Sequence, residues 1–514
     1  MNNTEKTLKN SVISVIAQLT TLLLQFLNRR IFIIFLDIEY LGYQTLFSNV
    51  FSLLSVAELG VGNIIAFHLY KEISSNNNKE IGKLMYLYKQ LYRLVACIVF
   101  IMGMGCCFLL PCFVKDATAS WSYLHIIYFL QLTSVILGYF LSYRRTIYIA
   151  TQQEYKCVQI DLYINIIVQV FQLGFLAVFH NYILYLCLQL SSTIIANIVI
   201  ARKSNREYPF LKEKYLISKE DIEKRNIFSD LKNFLIHQIA YAVYKGTDNI
   251  VISAFCGVRT VALYGNYVLV QKGVMQILFY KLLNPVQATI GNIVYSERDK
   301  NELWEQFEVL DILSFFFASY ISLGFLIFYQ PFIQLWMGQE YLLSDGFVIL
   351  FSLTMYFLAV WEIVYKYRTV FGDYRQDRNF MLMSAILNLA ISVIGAKLFG
   401  ILGIQFGTLI GYLPIAFGRI QFVVKNYFKR SVSKYLLKHV GLVLIVLIEG
   451  IICFLLTNNM PISIWGLLER GIIWLFMPLA INLFIYYKNL HFKQFLIYLK
   501  RIIMIFKAKI KKNK

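Results

Sequence analysis

Apolar stretches long enough to cross a bilayer, about 20 residues each, recur along the whole of this 514-residue sequence. That one property restricts the chain to very few folds. A backbone buried in lipid must satisfy every N–H and C=O internally, which only helices and closed barrels achieve. The segments are too long for barrel strands, so the sequence predicts an all-α polytopic membrane protein. Composition agrees: 58% of residues are hydrophobic and 15% charged, against about 25% charged in soluble domains.

Fourteen transmembrane helices are predicted, at 11–36, 41–66, 90–111, 121–142, 158–178, 182–201, 228–256, 260–294, 310–330, 347–365, 380–397, 401–424, 438–457 and 467–487. The first is too apolar for too long to be a cleaved signal and is read as a retained span. With the N-terminus inside, 37 of the 49 Lys and Arg fall in cytoplasmic segments. Only Lys115, Arg259, Lys397 and Arg470 fall in external ones. This bias follows the positive-inside rule, and adding or removing one helix midway would destroy it. Both termini are therefore expected in the cytoplasm. The net charge of +20 reflects this topology and does not indicate nucleic acid.

The predicted organisation is an N-terminal lobe at 1–201, a cytoplasmic linker at 202–226, a second lobe at 227–425, two further helices within 426–488, and a basic amphipathic tail at 489–514. The tail alternates apolar and basic residues and suits an anionic leaflet. The longest external segment, 330–347, leaves no room for a soluble catalytic domain. No Cys/His metal spacing or cofactor motif occurs among the eight cysteines and six histidines.

An internal repeat at an offset of 220 relates "IFIIFLDIEYLGYQ" (31–44) to "IVISAFCGVRTVALY" (250–264). In each, an apolar span ends in a tight turn and re-enters at once. Under this offset Arg29 maps beside Asp248 and Gln25 onto Lys245. Charge at equivalent depth in two halves is expected of a transporter whose site lies between repeats.

Helical periodicity then assigns faces. Ser14, Gln18, Thr21, Gln25 and Asn28 share one direction in the first helix; Arg29 lies at the stripe's edge and Arg30 points away. Asp230, Asn233, His237, Tyr241, Tyr244 and Asp248 form a second stripe with Lys245 on its flank. Gly273, Gln276, Tyr280, Asn284 and Gln287 form a third, with Lys272 at its edge, and Pro285 should bend that helix. Lipid cannot satisfy such side chains. The stripes therefore predict a hydrated cavity made cationic by Arg29, Lys245 and Lys272. Gln18, Gln25, Asn28, Asn233, Tyr241, Tyr244, Gln276 and Asn284 are expected to line it. Asp248 and Glu58 are candidates for coupling to an ion, with Glu362 and Glu449 as further intramembrane carboxylates; each is equally open to a salt-bridge role.

The segment "NRRIFIIFLDIEYLGYQTLFSNVFSLLSVAELGVGNIIAFHLYK" (28–71) resembles the opening of bacterial polysaccharide flippases. These are lipid-linked oligosaccharide exporters of the MATE-like superfamily. "EYLG" at 39–42, "LSVAELGVG" at 54–62 and the basic residue at 29 carry the likeness, and "TDNIVISAFCGVRTVALYGNY" (247–267) resembles the start of that family's second lobe. Asp37 departs from it, standing where the family commonly has glycine. The resemblance implies two six-helix lobes plus two extra helices in a bacterial cytoplasmic membrane. It further implies a transporter, not an enzyme, which moves a polyprenyl-pyrophosphate-linked oligosaccharide by alternating access for capsule or O-antigen-like polymers. Membrane lipids, H+ or Na+, and other glycan-assembly membrane proteins are the implied partners. An arginine fork matches a pyrophosphate. A MATE-type multidrug antiporter is the alternative, disfavoured by cationic cavity residues. A membrane-embedded glycan polymerase or glycosyltransferase is a third, disfavoured by the short external segments.

Overall fold

The computed structural model describes residues 3–55, 62, 65, 68–213, 215, 238–244, 246–294, 299–371, 377–489 and 492–493. Every long element among them is a helix, and eleven of these helices are long and apolar enough to cross a membrane. The chain is a multi-pass membrane protein. Three further predicted spans, 41–66, 228–256 and 260–294, fall where residues lie outside the described set or where the helix is interrupted. The last of these runs as Val258–Gly273, a π turn at Val274–Tyr280 and Lys281–Val294. The interruption precedes Pro285 and does not coincide with it. A π turn is one way a helix absorbs a proline's missing N–H and its clash with the preceding turn.

The chain forms two compact units, Met1–Gly265 and Asn266–Lys514. The first contains α1 (Asn3–Phe35), α2 (Glu39–Leu54), α3 (Asn78–Cys107), α4 (Trp121–Ser142), α5 (Tyr155–Phe179), α6 (Tyr182–Glu207) and α7 (Asp248–Cys256). It also holds the first half of α8 (Val258–Gly273). Helix starts follow capping chemistry: Ser120 accepts from the Tyr123 N–H and Asn181 from the Leu184 N–H, each satisfying an otherwise orphaned donor. Asn10 fastens α1 to the start of α5, donating to the Gln152 carbonyl at 3.1 Å and accepting from the Tyr155 N–H at 2.9 Å. Arg145 forks onto Asp161 at 2.6 and 2.9 Å and also reaches Asn197 on α6. This bidentate pair ties three segments together.

The two tight turns predicted from the repeat are present, and they touch. The α1–α2 turn leaves three residues between helices and the α7–α8 turn leaves one. A side chain on Gly42 would sit 2.3 Å from the Val258 carbonyl oxygen. Their chemistry differs: Gly257 turns with φ +85, a conformation glycine adopts without strain. Asp37 instead accepts the Glu39 N–H at 2.9 Å, an Asx-type turn bond just ahead of α2.

The second unit contains α9 (Lys281–Val294), α10 (Lys300–Trp336), α11 (Asp345–Val360), α12 (Glu362–Val370), α13 (Arg378–Phe399), α14 (Ile401–Ile420), α15 (Val432–Thr457) and α16 (Ile464–Tyr486). The closest pair is α13–α14. Gly403, Gly407 and Gly411 recur every fourth residue, and Cβ atoms there would meet Gly395, Ser392 and Asn388 at 2.0–2.5 Å. In lipid, where no hydrophobic effect drives helix pairing, such small-residue stripes allow the backbone approach that does. Gly403→Ala should therefore force the helices apart. A loss of about 1–3 kcal/mol is expected, as for other overpacked interiors. Thermal unfolding of the purified protein measures it, and Gly441→Ala, which meets nothing within 4 Å, should leave the midpoint unchanged.

Helices α15 and α16 pack on α10. Lys438 pairs with Glu308 and Asp311, Tyr435 donates to Asp311 at 2.7 Å, and Ser319 donates to the buried Glu449 at 2.6 Å. Trp474 donates to the Tyr320 carbonyl at 2.8 Å, over a core of Leu323, Ile327 and Cys453. Arg470, read from sequence as an external-loop charge, is buried and spends its fork on the carbonyls of Thr457, Met460, Pro461 and Gly466.

Candidate functional site

The two faces of α1 are distinct. Val12, Ile16, Leu19, Leu23, Leu27 and Ile34 are exposed apolar residues at helical spacing. Arg30 lies on that face, exposed, where a long side chain can reach toward an interface. Asn28 and Arg29 belong to the opposite, half-buried side. Asn28 accepts from the Tyr185 hydroxyl at 3.3 Å. Tyr185 packs in turn on Phe32 with Tyr182 beside it, so aromatic rings fix this end of α1 against α6.

Arg29 reaches α8. Its Nη2 donates to the Ala262 carbonyl at 2.8 Å, and a Cβ on Gly265 would lie 2.7 Å from the same atom. Glycine at 265 is thus what admits the guanidinium. One turn of α8 also holds Tyr264, which lies within electrostatic reach of the buried Asp248 at the start of α7. Arg29, Tyr264, Asp248 and the buried Tyr244 are contributed by α1, α8, α7 and residues 241–244. All belong to the first unit.

The remaining candidates are distributed as follows. Gln18 is half-buried and Gln25 exposed on α1, and Tyr241 is 44% exposed. Lys245, Asn233 and Glu58 lie outside the described residues. Lys272, Gln276 and Asn284 belong to the second unit, and all three are exposed. Asn284 has a partner not expected from sequence: it accepts from Lys366 Nζ at 2.8 Å.

That contact leads to an ionic network. Lys366 and Arg368, which the sequence counts within the cytoplasmic segment 366–378, are 4% and 1% exposed within α12. Lys366 pairs with Glu362 one turn earlier at 3.2 Å. Arg368 pairs with the fully buried Asp377, whose other oxygen receives Arg419 Nε at 3.3 Å. Glu362 is thereby a salt-bridge partner. The i, i+4 spacing of Glu362 and Lys366 was the signal that could have exposed this. Among the described residues Glu449 is held by neutral donors, Ser319 from α10 and Asn482 from α16.

A family model described as polysaccharide biosynthesis protein matches residues 7–288, more than half the chain. No curated protein matches the sequence. Among solved structures, a lipid II flippase, MurJ, in an inward closed conformation superposes with a TM-score of 0.67 at 16% identity. The match covers 93% of this chain and 98% of that one. An inward-facing multidrug resistance MATE family transporter of the MOP superfamily gives 0.55 at 14% identity over 79% and 98%. A MOP superfamily transporter from Pyrococcus furiosus gives 0.50 at 14% over 84% and 98%. At these identities the likeness is one of fold. The 7–288 match goes further, and the chain belongs to the polysaccharide biosynthesis protein family.

Proposed function

We propose that this protein carries a polyprenyl-pyrophosphate-linked oligosaccharide repeat unit across a bacterial cytoplasmic membrane, by alternating access, for surface polysaccharide assembly. The observation that carries the reading is the family match over 7–288. It supports a role in polysaccharide synthesis for a chain built of membrane-crossing helices. The fold shared with a lipid II flippase supports a cargo that is itself a lipid-linked glycan. In this reading both termini are cytoplasmic and 202–226 links two six-helix lobes, with the last two helices appended. The protein acts as a transporter and not an enzyme.

Arg29 is the proposed holder of the pyrophosphate. A guanidinium is a planar fork of five N–H donors, the geometry that matches phosphate oxygens, and Arg29 already directs one of them at the Ala262 carbonyl. Lys245 and Lys272 are proposed to extend the cationic path. Asp248 and Glu58 are the proposed proton or sodium couplers. Asp248 is the more specific of these, being buried and within electrostatic reach of Tyr264.

Deletion of the gene in a strain that makes a surface glycan tests the reading. Lipid-linked repeat units should accumulate on the cytoplasmic side of the membrane. Unchanged levels on that side, with surface polymer still made, would refute it.

A further inference from the structure

The first unit contains a cavity of about 280 Å³ between α2, α4 and α6. Its hydrogen-bonding lining is Ser48, Ser52 and Ser55 from α2, Gln131 and Ser134 from α4, and Gln189 from α6. The spacings, i, i+4, i+7 on α2 and i, i+3 on α4, place these groups on one face of each helix. The rest of the wall is apolar, including the buried ring of Phe51. Among the described residues, no ionisable side chain lines it. The Gln131 Nε2 is buried and has no hydrogen-bond partner among the described residues. A buried amide donor left unpaired costs about 1–3 kcal/mol, so a partner is to be expected in the cavity itself.

These properties select a ligand class. An ionic group would find no counter-charge here, which makes the cavity a poor site for a pyrophosphate or a metal ion. A purely apolar chain would leave the Gln131 amide donor without a partner, whereas Ser55 and Gln189 already have theirs in Phe51 and Gln44. A neutral polyol suits both parts of the wall. Its hydroxyls donate and accept as serine and glutamine do, and its C–H faces lie against Phe51 and the leucines. The volume sits near the lower end of the ~300–1,000 Å³ range of small-molecule pockets. Filled with water alone it would hold about nine molecules at ~30 Å³ each. The geometry points to this cavity as the subsite that receives a neutral sugar residue of the cargo, separate from the arginine that holds its charged end. The inference rests on the reading that the cargo is a lipid-linked glycan.

Photocrosslinking in glycan-producing cells tests it on the full chain. Leu130, an apolar residue of the cavity wall, is replaced by p-benzoyl-phenylalanine. In a control chain Phe140, on the exposed face of the same helix, is replaced instead. After irradiation and purification, covalently attached glycan is read by periodate oxidation and hydrazide labelling, which reports any vicinal diol. Label at Leu130→p-benzoyl-phenylalanine should exceed that at the control at least tenfold. In parallel, Gln131→Leu should cut export at least tenfold at equal protein level, while Gln131→Asn, which keeps the amide, retains more. Equal or absent label at both positions, or wild-type export by Gln131→Leu, overturns the subsite. Either result leaves the glycan reading standing if gene deletion still accumulates lipid-linked repeat units. If deletion accumulates none, the reading itself has failed.

Discussion

Replacing Arg29 with alanine is expected to cut glycan export by at least about tenfold at unchanged protein level, whereas Arg30→Ala leaves export near wild type. Both arginines lie in an apolar helix, where insertion scales put the cost at roughly 2.5–3.5 kcal/mol each at mid-span. Their surroundings differ. Arg30 lies on the exposed face with Leu23, Leu27 and Ile34. Arg29 turns inward onto the Ala262 carbonyl and the bare backbone of Gly265. Hydrogen bonds to charged groups contribute about 1.5–3 kcal/mol, or about ten- to a hundredfold in a binding constant, which sets the expected loss. A purely anchoring role makes a different prediction. Arg29→Ala would then lower the unfolding midpoint and the amount of protein, and Arg29→Lys would restore both with export. If Arg29 grips phosphate, lysine keeps the charge but not the fork, and export recovers only in part. Gly265→Ala, which pushes a methyl against the guanidinium, should impair export in the same direction. Accumulated lipid-linked repeat units and protein level, measured together, separate the cases. Equal loss from Arg29→Ala and Arg30→Ala would sink the assignment.

The fold was legible where periodicity and caps act together. The helix predicted at 121–142 is found at Trp121–Ser142, opened by the Ser120 cap. Length was underestimated where helices carry charge beyond the apolar core. The span predicted at 310–330 is Lys300–Trp336. Its first turns hold Glu302, Glu305 and Glu308 ahead of the predicted span, although glutamate favours helix, and Asp311 just inside it. Two of them, Glu308 and Asp311, are anchored by Lys438, more than 120 residues away, a pairing no local pattern reveals.

The candidate site divides the same way. Which face Arg29 occupies could be read from a helical wheel, because it depends only on 3.6-residue periodicity. Its partner could not, since Ala262 is 233 residues distant and offers a main-chain carbonyl that any residue type supplies. The serines of α2 are an intermediate case. The small polar residues at 48, 52 and 55 are visible in the sequence, yet only the approach of α4 and α6 turns them into a cavity wall.

The largest expected loss of stability is that of Asp377→Ala. Asp377 is fully buried and opens α13 beside α12 and α14. One oxygen of its carboxylate receives Arg368 and the other Arg419, which also stacks on the Tyr365 ring at 4.6 Å. Among the described residues of this network, Lys366, Arg368 and Arg419 face Glu362 and Asp377. Three cations thus share two anions, and the substitution leaves them one. Removing a single partner from a buried ion pair typically costs about 3–5 kcal/mol, because the remaining charge stays desolvated and uncompensated. Asp377→Ala should therefore unfold at markedly lower temperature or denaturant, and accumulate poorly in cells. Asp377→Asn keeps an acceptor and loses the charge, so it should fall between. Exchanging Asp377→Leu with Arg368→Met removes the more deeply buried of the two arginines that would be stranded, leaving the more exposed Arg419, and should cost less than Asp377→Ala alone, since apolar replacement of a buried pair is often tolerated. Unfolding of the purified variants decides the matter. A shift below about 1 kcal/mol for Asp377→Ala would mean that water, not protein, compensates the two arginines, and that α12 is held in place by its apolar contacts alone.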